Sequence, residues 1–116
     1  MTRRSKRRSG IRKKEKEELA LAELFRIAES SPEWVADINK VLGNKRTKEY
    51  LEGFADAVHG TKESSVSADY VEGFRRATHE MENARSKRYT EQQEAMDEVI
   101  VASEYARYLL TKNKGA

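Results

Sequence analysis

One ten-residue pattern occurs twice in this chain, and it limits the fold more than any other feature of the 116 residues. Tyr50-Leu-Glu-Gly-Phe-Ala-Asp-Ala-Val-His59 returns as Tyr70-Val-Glu-Gly-Phe-Arg-Arg-Ala-Thr-His79, identical at six of ten positions with a shift of 20. On an α-helix, the Tyr, Gly, Phe and Ala of each copy share an arc of roughly 100°, and the Glu and His face the opposite way. A duplicated helix predicts a hairpin with local pseudo-symmetry. The aromatic face is expected to pack inward. Gly53 and Gly73 on that face let the two helices approach closely, at a cost of about 1 kcal/mol each in helix propensity. Tyr50, Gly53, Phe54, Tyr70, Gly73 and Phe74 are thus the structural repeat residues. The outward faces, with Tyr50 and Tyr70, are the alternative place for a binding surface.

The flanking sequence also reads as helix. A first helix is expected from about Ile11 to Glu29, with Leu21, Leu24, Phe25 and Ala28 as its apolar stripe. Basic residues at its positive dipole end disfavour order there, so ordered structure is expected from near Glu17. Ser31 and Pro32 suit an N-cap and a first helical position, and Trp34, Val35, Ile38, Val41 and Leu42 form the stripe that follows. Gly43 supplies the left-handed stop. The repeat helices run from after Thr47 to near His59, with Gly60 as the stop, and from after Ser67 to about Ser86. A fifth helix is expected from Thr90, where Thr90-Glu91-Gln92-Gln93 reads as a capping box, to about Thr111. Its stripe is Met96, Val99, Ile100, Ser103, Ala106 and Leu110. With one Pro and six Gly, the fold class is all-α: about five helices in a small bundle with an internally duplicated hairpin. The expected organisation is a flexible basic arm (1–16), a helical domain (17–112) and a frayed tail (113–116).

Charge divides unevenly along this plan. Residues 1–16 hold nine basic residues (Arg3, Arg4, Lys6, Arg7, Arg8, Arg12, Lys13, Lys14, Lys16) and one acidic residue, Glu15, a balance of +8. The remainder holds fourteen basic and nineteen acidic residues, a balance of −5. An arm without an apolar period cannot offset its ordering entropy, so disorder is expected. Such a tail points to an anionic partner. Phosphate neutralisation with counterion release is the chemistry it suits, and arginine-rich segments of this kind order on RNA. A second basic cluster, Arg75, Arg76, Arg85, Lys87 and Arg88, extends the candidate nucleic-acid-binding set, and Tyr89 beside it can stack on a base. Acidic neighbours Asp69, Glu72, Glu80 and Glu82 give the same cluster an ordinary reading as a surface of i,i+4 pairs. Lys45, Arg46 and Lys48 between the second and third helices carry the same two readings.

Other classes find no support. There is no Cys, which excludes disulfides and thiolate metal sites. His59 and His79 occupy equivalent positions, but Asp56 precedes one and Arg76 the other, so a two-fold carboxylate–histidine site fails. No phosphate-binding Gly loop, G-x-S-x-G or H-E-x-x-H is present, and the carboxylates are scattered. No enzyme activity, cofactor or metal is expected. No run of sequence is apolar enough to span a bilayer, the arm lacks the apolar face of a membrane-binding helix, and a cytoplasmic location is expected.

The tandem Tyr-x-x-Gly helices beside a basic N-terminus resemble the ribosome modulation factor family. The matching residues are Tyr50, Gly53 and Gly60 in the first helix, then Tyr70, Gly73, Phe74, Arg75 and Ala77 in the second, within positions 49–80. The resemblance implies an RNA-facing protein that docks on the ribosome and lowers its activity. The residues and the resemblance together lead to a non-enzymatic accessory protein that binds nucleic acid, with RNA slightly preferred over DNA. The alternative is a helical adaptor or inhibitor whose arm engages an acidic protein surface. In that case Tyr105, Tyr108 and Leu109, off the main stripe of the last helix, are expected to be exposed and to seal a homodimer.

Overall fold

A computed structural model describes residues 20–115, with the side chains of the last three left aside. The expectations for the arm (1–16), for residues 17–19 and for the side chains of 113–116 lie outside what it describes. Five helices follow one another: α1 (20–29), α2 (Pro32–Leu42), α3 (Lys48–Val58), α4 (Ala68–Arg85) and α5 (Tyr89–Gly115). The described residues contain no strand. The chain is all-α, as its repeat and its scarcity of Pro and Gly require.

The hairpin of α3 and α4 is the centre of the fold, and it is built on backbone. A Cβ placed on Gly53 meets the carbonyl oxygen of Tyr70 at 2.1 Å, and one on Gly73 meets the carbonyl oxygen of Tyr50 at 2.1 Å. The contact is reciprocal: each glycine receives the main chain of the other repeat's tyrosine. Tyr50, Phe54, Tyr70 and Ala77 are all less than a tenth exposed, with the tyrosines at 2% and 1%. Glu72, His59 and His79 face solvent. This is the inward aromatic face that helix geometry requires.

Local signals set the hairpin's ends. Thr47 caps α3 by accepting from the Tyr50 N–H at 3.1 Å. Gly60 turns the chain with φ of 72°. Ser67 stands at the N-cap of α4 but makes no side-chain cap bond, because its hydroxyl donates to the Glu49 carboxylate of α3 instead. The connecting segment is tied down by the Tyr70 hydroxyl, which donates to Asp56 Oδ2 at 2.5 Å and accepts from the Ser64 N–H at 3.1 Å.

A second layer covers the hairpin. α5 packs on both α3 and α4, and α2 packs on α5 and α4. Small residues on α5 permit this close fit. Ala102, Ser103 and Ala106 are wholly buried, and the Ser103 hydroxyl is satisfied by the Ile100 carbonyl at 2.7 Å. Phe25, Trp34, Tyr105 and Tyr108 join α1, α2 and α5 in an aromatic cluster with ring centroids 5.4–6.1 Å apart. Edge-on pairs such as Trp34–Tyr105 add about 1 kcal/mol each beyond burial.

Three expectations need correction. Leu21 and Leu24 are not buried with Phe25; they are 39% and 58% exposed, because the aromatic cluster selects Phe25 and turns Leu24 outward. Ser31 does occupy the N-cap of α2 with Pro32 at its start, as expected, although the Ser31 side chain makes no cap bond. No capping box starts at Thr90: Lys87 N–H still bonds the Ala84 carbonyl of α4, and α5 already begins at Tyr89 with Gln92 N–H bonding the Arg88 carbonyl. Helix α5 also runs past Thr111 to Gly115 rather than ending there.

Gly53→Ala or Gly73→Ala is expected to destabilise the protein by about 3 kcal/mol through forced separation of the backbones. That outweighs the gain of about 1 kcal/mol in helix propensity. Thermal and urea unfolding check it; an unchanged midpoint for both variants contradicts the close contact.

Candidate functional site

Cations on the described surface fall into two groups, those spent on the fold and those left to solvent. Arg76 belongs to the first. Its guanidinium donates from Nε to the Val41 carbonyl at 3.2 Å and from a terminal nitrogen to the Lys40 carbonyl at 2.6 Å. These are carbonyls of the last turn of α2, which have no partner inside their own helix and carry its negative dipole end. The Asn39 carbonyl is taken separately by Gly43 and Asn44 N–H groups. Arg76 also pairs with Glu80 at 3.2 Å, the i,i+4 arrangement. Its charge lies beside the Tyr50 hydroxyl, whose pKa burial raises while Arg76 pulls it back down. As a phosphate contact, Arg76 is therefore withdrawn from the candidate set: it clamps α2 to α4.

Other cations are engaged as well. Lys45 pairs with Glu72, and Lys112 with Glu29 at 3.2 Å. Arg46 lies 5.4 Å above the ring of Tyr105. That ring is 1% exposed and its hydroxyl donates to Glu29 Oε1 at 3.2 Å. Burial raises the Tyr105 pKa against the opposing charge of Arg46. Tyr105 is thus not an exposed dimer contact, and Tyr108 and Leu109 are half-buried against the same core. The reason is that α5 is covered on more than one side, so its buried arc is wider than one stripe.

Arg75, Arg85, Lys87 and Arg88 belong to the second group, as do Lys40, Lys48, Lys62 and Arg107. All are exposed, and among the described residues none makes an ion pair. Arg85, Lys87 and Arg88 follow one another where α4 turns into α5, and Tyr89, 73% exposed as a residue, comes next. The arm candidates Arg3, Arg4, Lys6, Arg7, Arg8, Arg12, Lys13 and Lys14 lie outside the described residues.

A cleft of about 370 Å³ opens between α1, the end of α3 and α5. Leu21, Phe25 and Tyr108 wall it, and His59, Glu104 and Arg107 stand at its rim. Partial desolvation lowers the pKa of His59, the nearby Arg107 charge lowers it further, and Glu104 and Asp56 oppose both. Sequence reasoning compared His59 with His79 along the repeat and missed its neighbours on α5, which only the tertiary fold supplies. Among the described residues, no group of three or more His, Cys, Asp or Glu is placed to hold a metal ion. None of the described helices is long and apolar enough to cross a membrane.

Comparison with protein-family models, with curated proteins and with solved structures finds no match to this chain.

Two outcomes follow from this geometry. Arg76→Ala is expected to cost about 1 kcal/mol of stability, the charged hydrogen bonds being partly screened by solvent. Arg85→Ala is expected to leave stability within about 0.5 kcal/mol; paired urea titrations measure both. For His59, an NMR titration is expected to give a midpoint below 6.5. The folded protein then binds this proton less readily than the unfolded chain. Its share of stability is complete above about pH 6.5 and is lost as pH falls through the lower folded value. Arg107→Gln raises the midpoint only part of the way, because burial is the larger cause.

Proposed function

We propose that this protein is a non-enzymatic accessory factor that binds nucleic acid, RNA in preference to DNA, through basic residues delivered by a compact helical body. The carrying observation is the charge division: +8 over residues 1–16 against −5 over the rest. A net charge of +3 averaged over the chain would attract polyanions weakly, but nine cations in sixteen residues present a charge density matched to a phosphate backbone. Exposed Arg75, Arg85, Lys87 and Arg88 offer further phosphate contacts on the body. The resemblance of the tandem Tyr-x-x-Gly helices to the ribosome modulation factor family supports RNA, and ribosomal RNA in particular, as the target. No step of chemistry is assigned to the protein, and no cofactor is needed for this role.

A second reading, a helical adaptor or inhibitor that acts on a protein, draws on a different observation. Leu24 and Ile27 on α1 are 58% and 62% exposed, an aliphatic pair that a protein partner or a second copy would cover.

Binding of labelled RNA and duplex DNA across a salt series separates the two. The first reading predicts affinity that falls steeply with salt, with a log–log slope of about −6 for single-stranded RNA if all nine arm cations neutralise phosphates. Deleting residues 1–16 is expected to remove most of that slope and weaken binding at least a hundredfold at low salt. RNA affinity that survives the deletion intact refutes the arm's role. A protein with no RNA affinity and a Leu24- and Ile27-dependent association favours the second.

A further inference from the structure

The turn between α4 and α5 carries more than loose charge. Of the five tyrosines, Tyr50, Tyr70 and Tyr105 are buried and Tyr108 is half-buried, whereas Tyr89 presents 73% of its surface. An aromatic ring left in water at the start of a long helix contributes little to folding. Its hydroxyl accepts a hydrogen bond from Gln93 Nε2, one turn along α5, at 3.2 Å, a contact between two exposed side chains. The ring forms one end of an open groove of about 550 Å³, continued along α5 by Gln92, Gln93, Met96 and Asp97. Immediately before it in the chain stand Arg85, Lys87 and Arg88, exposed and without ion pairs among the described residues.

We propose that this turn is a stacking platform for an unpaired base of single-stranded RNA, with the ring of Tyr89 on the base face and Arg85, Lys87 and Arg88 on the flanking phosphates. Each part matches the chemistry of a nucleotide. A flat exposed ring accepts any base by π-stacking, which is sequence-tolerant because every base has a face. Primary amides such as Gln92 and Gln93 carry both donors and acceptors, so they can pair with the polar edge of a stacked base. The Met96 thioether adds polarizable apolar surface, and the Asp97 carboxylate accepts from ring or exocyclic N–H groups while disfavouring a phosphate at that end of the groove. The cations precede the ring in the chain and Asp97 lines the groove beyond it, so the proposed strand would run its backbone on the α4 side of Tyr89 and turn a base edge towards Asp97. A base inside a duplex cannot use this site, because both of its faces are already stacked. The platform thus selects single strands, a discrimination that phosphate neutralisation alone does not supply. It rests on the reading of the protein as an RNA binder.

Fluorescence anisotropy on the full chain tests it, with a short labelled oligouridylate as single strand and an RNA duplex of equal length as control. Wild type is expected to bind the single strand more tightly than the duplex at matched salt. Tyr89→Ala is expected to weaken single-strand binding about tenfold, to leave duplex binding unchanged, and to leave the salt slope unchanged. Tyr89→Phe keeps the affinity, because the ring face and not the hydroxyl does the stacking. Replacing Arg85, Lys87 and Arg88 with Gln lowers the single-strand salt slope by about 2. Circular dichroism of each variant confirms retained helix, which is expected at exposed positions. If wild type binds RNA and Tyr89→Ala binds the single strand equally well, the platform is wrong while the arm-based reading stands. If wild type binds no RNA at all, both fall together.

Discussion

Backbone lying directly on backbone is the contact from which the rest of this structure is arranged. Gly53 against the Tyr70 carbonyl and Gly73 against the Tyr50 carbonyl leave no room for a β-carbon on either helix. Because the contact is reciprocal, it fixes the rotation of α3 and α4 about their axes as well as their separation. With rotation fixed, Phe54 and Ala77 point into a shared core, and the outward Glu and His positions follow without further specification. A single interaction type, used twice, converts a duplicated sequence into a hairpin of one geometry.

The two copies then diverge at one position that gives the hairpin two different sides. Asp56 and Arg76 are equivalents in the repeat. Asp56 accepts the hydroxyl proton of Tyr70 and so closes the loop that joins the helices. Arg76 reaches instead across to the last-turn carbonyls of α2. A carboxylate would repel that negative helix end, and the dipole favours a cation there by up to about 1 kcal/mol. One charge reversal within a near-symmetric frame therefore decides which side α2 docks on. The aromatic cluster of Phe25, Trp34, Tyr105 and Tyr108 then gathers α1 and α5 to the same layer.

This also explains which features could be read from the chain beforehand. The repeat was legible because helix periodicity is local: spacing alone puts Tyr, Gly, Phe and Ala on one face, and a glycine on an aromatic face implies close approach. Tyr105 was not legible. A single-stripe model of α5 treats one arc as buried, but α5 touches α2, α3 and α4 together, so residues between stripes are buried too. Leu24 failed for the reverse reason: α1 offers two apolar residues side by side, and only the partners on α2 and α5 decide that Phe25 enters. Arg76 read as a surface cation because its ligands are main-chain carbonyls thirty-five and thirty-six residues away, which side-chain patterning does not encode. In the candidate interface, composition revealed the basic residues, but not which of them are already spent.

That distinction bears on the proposed encounter with a polyanion. A cation that holds carbonyls or a carboxylate, as Arg76, Lys45 and Lys112 do, gains little from a phosphate, because the new contact must replace an existing one. Only unspent cations release counterions on binding at no cost to the fold. On the described body these include Arg75, Arg85, Lys87 and Arg88, three of them adjoining the single tyrosine left open to solvent. On the proposed reading, a body of net charge −5 would repel nucleic acid on average, so a phosphate backbone drawn in by the first sixteen residues would continue only along local basic sites. Screening confines each charge to a range of about 10 Å at ordinary salt. The local sign at the α4–α5 turn therefore matters more than the net charge of the body. On the proposed reading, a strand guided there would meet both phosphate partners and an exposed ring for its bases.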